Sequence, residues 1–386
     1  MRRVVGSFLR RLSFAAQKVN LLGQLAPVRP VILLQSDDWG RVGAPSVAVI
    51  DDLRSRHPRI GKSAWDFYGL ETEEDLQKLG DTLAALRDAD GRSACMTANF
   101  IMANADLGRM RSDGYKQLHL IDIADGFPPP WTENLLSAYR LAIKRGVFYP
   151  GLHGLTHFNI DALLDALTDT SSRGNLARDL TDRDVPYLAS LTPEYNFALA
   201  RRVPDERFMN EDEQARWIEA GVRSFVQAFG FAPRTACAPG YRANSTTYRL
   251  WAKFGVETAQ ITGVGALLQL EGVDLIQRNV FFEPVLKEGN AVSAALEMAR
   301  TAVARGYPIV ICSHSINYIS RFVGRADEAR AGLRTLCENL LQLYPDARFC
   351  SEPEMMAAYK ARDRQWFRAP TMAEKVRRLR HAPSDS

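Results

Sequence analysis

The chain has 386 residues, 46% of them hydrophobic and 24% charged, which is the balance of a folded protein with a large core and excludes disordered and fibrous classes. Lysine and arginine number 49 against 45 acids, and the resulting charge of +4 is too small and too dispersed for a nucleic-acid partner. Five cysteines without a CxxC pair exclude a disulfide framework and a cysteine zinc site, and predict reduced, buried thiols in the cytoplasm.

The concentrated charge lies at the two ends. Residues 1–20 carry Arg2, Arg3, Arg10, Arg11 and Lys18 without an acid, interleaved with Val4, Val5, Phe8, Leu9, Leu12 and Phe14. This is the pattern of either a basic amphipathic helix on an anionic membrane surface or a solvated tail. Arg10 and Arg11 interrupt any secretory signal, and no apolar run approaches the roughly 18 residues of a membrane span. Three regions are expected: a basic segment over 1–28, one domain over 29–362, and a basic tail over 363–386.

Within the domain, Val31 to Leu34 predict a buried strand that opens into Ser36-Asp37-Asp38. Thr72 to Gly91 predict a helix, with Thr72 as cap, Asp75 three residues on, and Leu76, Leu79, Leu83 and Leu86 on one face. Strand chemistry returns over 93–101, a helix is expected over 132–146, and Val147 to Leu152 form the next strand, followed by a helix over 160–167. Residues 168–210 are polar and irregular, and read as a substrate-shaping insertion. Helix and strand then alternate again: 211–229, 235–238, 245–254, 256–261, 274–282, 291–305, 308–312, 327–343 and 347–361. Such alternation predicts a mostly parallel sheet with ligand sites at the C-terminal ends of its strands.

Chemistry-bearing residues fall at those ends. Asp37 and Asp38 close the first strand, His153 and His157 follow another, and His314 closes Ile309 to Cys312. His153 and His157 have the spacing that lets two imidazoles converge on one metal, across a helical turn or a tight loop. With a carboxylate they make a set suited to zinc, and also to cobalt or iron. Cys312, two residues before His314, reads as a core thiol in preference to a nucleophile. His57, His119 and His381 have no metal-like neighbours. Trp39, Tyr241 and the insertion aromatics Tyr187, Tyr195 and Phe197 either stack on sugar faces or pack, and Arg242 is either an anion-binding group or a structural ion pair.

Taken in order, Ser36-Asp37-Asp38-Trp39, His153-Gly154-Leu155-Thr156-His157, Ala236-Cys237-Ala238-Pro239-Gly240-Tyr241 and Ile311-Cys312-Ser313-His314 resemble the four motifs of the polysaccharide deacetylases of carbohydrate esterase family 4. The resemblance spans about residues 30–352. It implies a (β/α) barrel, distorted or incomplete and seven-stranded. It further implies a divalent metal, zinc first, held by Asp38, His153 and His157, with Asp37 as general base and His314 as general acid. A backbone N–H near Tyr241 is expected to help hold the oxyanion, with Trp39, Pro239, Tyr241 and Arg242 on the substrate. The implied reaction removes an acetyl group from an N-acetylated sugar of a bacterial surface polysaccharide or its precursor.

Two departures stand out. Cys237 occupies the place where the family carries an arginine, for which Arg234 or Arg242 is expected to compensate, and Gly154 replaces a small hydroxyl residue. A cyclic-amide hydrolase similar to allantoinases, or a glycan-binding relative without turnover, remains a rival reading.

Overall fold

The structure, a computed structural model, describes residues 23–188, 192, 196–201, 207–286, 289–322 and 324–380. The basic segment expected at the start of the chain therefore lies almost wholly outside the described residues, as do His381 and Tyr195.

The alternation gives strands β1 (Val31–Trp39), β2 (Met96–Phe100), β3 (Phe148–Leu152), β4 (Thr235–Ala236), β5 (Thr258–Thr262), β6 (Leu267–Leu270), β7 (Val273–Arg278), β8 (Val280–Phe281), β9 (Ile309–His314) and β10 (Arg348–Phe349). They form one ten-stranded sheet in the order β6-β7-β5-β4-β3-β2-β1-β9-β8, with β10 also paired to β1. Every pairing is parallel except β6 with β7. Parallel strands covered on both faces read as unbroken apolar runs, which is why Val31–Leu34 and Ile309–Cys312 were legible.

The expected barrel is seen only in its coarser form, a mixed α/β architecture on a mostly parallel sheet. The segment 273–281 pairs with β5 through β7 and with β9 through β8. Between the two, Asn279 bonds to the β9 backbone with main chain and side chain, its N–H donating to Val310 O at 3.2 Å and its Oδ1 accepting from Val310 N–H at 2.9 Å.

The covering helices follow their caps. Helix α1 (Glu73–Ala85) starts at the expected Thr72–Asp75 capping box and buries Leu76, Leu79 and Leu83, but ends at Leu86 rather than at Gly91. Helix α2 (Leu136–Lys144) starts four residues later than the expected Thr132. Helix α3 (Ile160–Thr168) leads into the expected insertion, which is not wholly irregular: it contains helix α4 (Ser172–Thr181) and a two-residue hairpin, Ala200–Arg201 on Arg207–Phe208. Helices α5 (Glu211–Phe229), α6 (Ser245–Lys253), α7 (Ala291–Ala304), α8 (Ala326–Leu343) and α9 (Glu352–Lys360) complete the cover. Helix α5 is closed by Gly230 at φ 83°, the left-handed conformation that glycine adopts without strain.

The region expected as a C-terminal tail is structured. Phe367–Arg368 pair antiparallel with Ala26–Pro27, and helix α10 (Met372–Arg380) follows. Its Arg378 is 2% exposed and donates to the carbonyls of Gln24, Arg305 and Gly306, each at 2.8 Å. These charge-assisted bonds to backbone acceptors hold down a segment expected only as a basic tail. Among the described residues no helix is long and apolar enough to cross a membrane.

Candidate metal centre

The site begins with a fault in a strand. Along β1, Ser36 sits opposite Ala98 and Trp39 opposite Phe100, so two residues, Asp37 and Asp38, face the single Asn99. In a regular strand successive side chains point to opposite faces. Here the bulge, with Asp38 at φ 73°, re-aims the chain so that both carboxylates reach one cavity at the strand ends. Trp39 then returns to the interior, fully buried, with its ring 5.1 Å from Phe148 and stacked at 6.5 Å on Tyr318. Its expected place on the substrate is therefore a core position, because sequence adjacency to Asp38 does not survive the alternation of the strand.

His153 and His157 lie in the loop after β3, which settles the open choice between helical turn and loop. Gly154 enters that loop at φ 93°. His153 Nδ1 lies 2.7 Å from the Cys237 carbonyl, a group that only accepts, so this nitrogen carries the proton and the Nε2 of a neutral ring bears a lone pair. That Nε2 stands 3.3 Å from Asp38 Oδ1, and so does His157 Nε2. Asp38 Oδ1 is buried and has no hydrogen-bond partner among the described residues. The donor atoms of Asp38, His153 and His157 all lie within 4.8 Å of one another. A carboxylate oxygen facing an imidazole lone pair is repulsive unless a cation lies between them, so this donor set fits a divalent metal.

Electrostatics keep the set in its ligating form. Burial raises the Asp38 carboxyl, but the Arg41 charge beside it outweighs this and holds it well below the usual carboxylate range. Burial and the nearby Arg41 push His157 well below the usual histidine range, so it is neutral. Arg41 donates to Asp38 Oδ2 at 3.0 Å and is held between the Tyr68 and Tyr187 rings, 4.2 and 4.6 Å from their centres. A second group of possible ligands, Asp37, His153 and Cys237, is less suited. The Cys237 thiol is pushed well up by burial and by Asp37, and Asp37 is already occupied.

Asp37 is occupied by Arg278. The guanidinium donates to both carboxylate oxygens, Nη1 to Oδ2 at 2.6 Å and Nη2 to Oδ1 at 2.7 Å, and Asn99 adds a bond to Oδ1 at 2.7 Å. Burial alone would raise Asp37. The Arg278 charge and hydrogen bonds outweigh it and hold the carboxyl far below its ordinary value. Arg278 in turn donates through Nε to Gln35 at 2.7 Å, and Gln35 to buried Glu352 at 2.7 Å, so the pair is set in a polar network behind the cavity.

The arginine sought near Cys237 therefore comes from β7, not from Arg234 or Arg242. Arg234 forms an exposed pair with Glu257 at 2.9 Å. Arg242 lies 5.6 Å over the Phe197 ring and does not line the cavity. Cys237 is a close, uncharged neighbour of Asp37, with Sγ 3.7 Å from Oδ2, where a second arginine side chain would compete with Arg278 for the same carboxylate.

His314 closes β9, its Cα paired with that of Asp37 and its Nε2 3.8 Å from Asp37 Oδ2. Its Nδ1 is 2.7 Å from Glu283, whose other oxygen accepts from Asn317 at 2.7 Å. Burial disfavours the imidazolium, but the Glu283 charge and hydrogen bond outweigh it and raise the histidine to about 9. It is thus protonated at neutral pH, with its ring edge-on to Trp65 at 4.9 Å.

These residues line a cavity of about 300 Å³ together with Arg41, Trp65, Asn196, Phe197, Gly240 and Tyr241. Gly240 is at φ 60°, and a Cβ there would come 2.3 Å from the Phe197 ring, so the insertion seats on the motif only because this residue is glycine. Pro239 is buried and lines a neighbouring apolar gap instead. The Tyr241 hydroxyl accepts from Arg278 at 2.8 Å. The Tyr241 N–H is bonded to Ala238 O at 2.8 Å, so it is not a free oxyanion donor as expected. Asn196 Oδ1 is buried without a hydrogen-bond partner among the described residues. Cys312 is buried with its thiol pushed up to about 12 by burial, in keeping with the core reading. His57 and His119 pair with Asp179 and Asp113 away from the cavity.

No protein-family profile and no curated protein matches the chain. Among solved structures it is similar to a provisionally assigned polysaccharide deacetylase from Mycobacterium smegmatis, at 14% identity and TM-score 0.43, over 88% of this chain and 96% of that one. It is also similar to a family 4 carbohydrate esterase from Streptomyces lividans in complex with acetate, at 13% identity and TM-score 0.36, over 89% and 98%. A third is a pseudoenzyme of the same family from Bacillus anthracis, at 11% identity and TM-score 0.36, over 84% and 69%. At these scores the likeness assigns no chemistry, which has to come from the chain's own side chains.

Proposed function

We propose that the protein is a metal-dependent hydrolase of amide bonds that removes the acetyl group from an N-acetylated sugar. The observation that carries this reading is the unpartnered Asp38 Oδ1, held 3.3 Å from each of two imidazole Nε2 atoms beside a carboxylate and a protonated histidine that need no metal contact of their own. A zinc, cobalt or iron ion held by Asp38, His153 and His157 would supply Lewis acidity toward the acetamide carbonyl and the attacking water.

The remaining roles fall to the chain. Asp37, oriented by Arg278 and Asn99, takes the proton of the attacking water. Glu283 fixes the His314 proton on Nδ1 and keeps the ring charged, so that Nε2–H points to the cavity and donates to the departing amine nitrogen. Trp65 covers one side of His314 and limits its contact with water. Asn196 offers an amide to a hydroxyl or N–H of the sugar. We read residues 29–362 as one catalytic unit, with the bridging 273–281 segment making the sheet an incomplete barrel. The five free cysteines support a reducing compartment, and so a cytoplasmic precursor of a bacterial surface polysaccharide as the substrate.

The test is acetate release by metal-loaded protein from acetamido sugars, sugar nucleotides and oligosaccharides, run beside cyclic amides. Acetate release that disappears with a chelator and returns with zinc or cobalt is the expected result. Ring opening without acetate release would favour the cyclic-amide rival, and metal binding without any turnover would favour a glycan-binding protein.

A further inference from the structure

The two imidazoles of the metal centre are held by different means. A histidine that ligates a metal ordinarily donates its other ring N–H to a carbonyl or carboxylate, which fixes the orientation of the ring. His153 follows that rule through Nδ1 and the Cys237 carbonyl. His157 does not: its Nδ1 is buried and has no hydrogen-bond partner among the described residues. What faces this ring instead is Tyr187, stacked at 4° with the ring centres 5.4 Å apart, within the range where aromatic pairs attract. Phe197 stands farther off and tilted, at 6.1 Å and 55°.

The contact does not stop at Tyr187. Its ring also lies 4.6 Å from the Arg41 guanidinium, which lies 4.2 Å from the Tyr68 ring. Arg41 donates to Asp38 Oδ2, and the Tyr68 hydroxyl donates to the Asp38 carbonyl at 2.6 Å. Tyr187, Arg41 and Tyr68 are all buried, where a cation is held by ring faces more strongly than at an exposed site. One run of contacts therefore reaches two of the three ligands, Asp38 and His157, and its Tyr187 comes from the insertion over 168–210. Neither tyrosine is among the residues that line the cavity, so their rings are placed for the ligands and not for a sugar.

We propose that Tyr187 is a positioning residue of the metal centre. Together with Arg41 and Tyr68 it fixes the His157 ring and the Asp38 carboxylate in ligating orientation, so that the insertion completes the metal site as well as shaping the cavity. The inference rests on the reading of Asp38, His153 and His157 as metal ligands.

The experiment is titration of the metal-free full chain with cobalt(II), read by visible absorption and by competition with a chelator, beside thermal unfolding. Tyr187→Phe keeps the ring and is expected to bind as the native chain does. Tyr187→Leu is expected to bind cobalt about 10–100-fold more weakly, with altered absorption bands. Arg41→Lys keeps a charge near Asp38 but cannot lie flat on two rings. It is expected to bind about tenfold more weakly, and it carries the test if Tyr187→Leu does not fold. Leu167→Ala, in the same apolar cluster as Tyr187, is expected to lower the unfolding midpoint and leave cobalt affinity unchanged. The proposal is overturned if folded Tyr187→Leu or Arg41→Lys binds cobalt with native affinity and absorption, or if Leu167→Ala weakens binding as much as Tyr187→Leu. A native chain that binds no cobalt would defeat the metal-ligand reading itself, and this inference with it.

Discussion

Asp37 and Asp38 are neighbours in one bulge, equally buried, and surrounded in opposite ways. Asp37 has both oxygens filled by Arg278 and Asn99. Asp38 has one oxygen filled by Arg41 and the other facing two imidazole nitrogens, without a hydrogen-bond partner among the described residues. The same side chain becomes a positioned base in one setting and an open ligand in the other. The difference lies in the number of donors each was given, not in depth of burial.

Removing the open ligand should have the largest effect. Asp38→Ala is expected to abolish stoichiometric metal, read by elemental analysis, and to lower kcat/KM on the order of a thousandfold. Full metal content in that variant would show that the two carboxylates are not divided in this way. Next is the cation that fills Asp37. Arg278→Met leaves a buried carboxylate unpaired, which should cost about 3–5 kcal/mol in denaturant unfolding and roughly a hundredfold in kcat. Asp37 is depressed in the fold, so its contribution to stability is present above the usual carboxylate range and lost as pH falls through the folded value. Without Arg278 the acid limb of the pH–rate profile should move to higher pH, and a limb that stays in place would sink the assignment of Asp37 as base.

A smaller, pH-dependent effect is expected across the cavity. His314 is raised to about 9, so the stability it gains from Glu283 is complete below about 6.5, the ordinary histidine value, and is lost as pH rises through about 9. Glu283→Gln should bring the alkaline limb of activity down toward neutrality, leaving turnover near pH 6 little changed. The smallest effect belongs to Asn196→Ala. One neutral hydrogen bond to the sugar predicts a KM raised by up to about tenfold at constant kcat, whereas a fall in kcat alone would move Asn196 from substrate binding to support of the insertion.

The ligands and the acid were legible in the sequence because Asp and His are conspicuous where apolar strands stop, as at Leu34 before Ser36-Asp37-Asp38 and at Cys312 before His314. Their orienting partners were not. Arg278 sits at the end of Val273–Arg278, where a charged residue looks like a solvated strand end, and its partner Asp37 is 241 residues away. Sheet order leaves four strands between β7 and β1, and it is the continuation of the 273–281 segment onto β9, the neighbour of β1, that brings them together. Glu283 is hidden in the same way after Val280–Phe281. Trp39 failed for the opposite reason: it is next to Asp38 along the chain, but strand geometry sends adjacent side chains apart. The docked C-terminal helix escaped because Arg378 binds backbone carbonyls, and those leave no mark in a sequence.

One consequence follows from where that helix sits. The carbonyls it grips, at Arg305 and Gly306, precede β9, and His314 ends it. At about 3.3 Å per residue the cavity stands on the order of 20 Å from α10, at the other end of the sheet. The strand that delivers His314 to the cavity is therefore anchored at its start by the C-terminal helix.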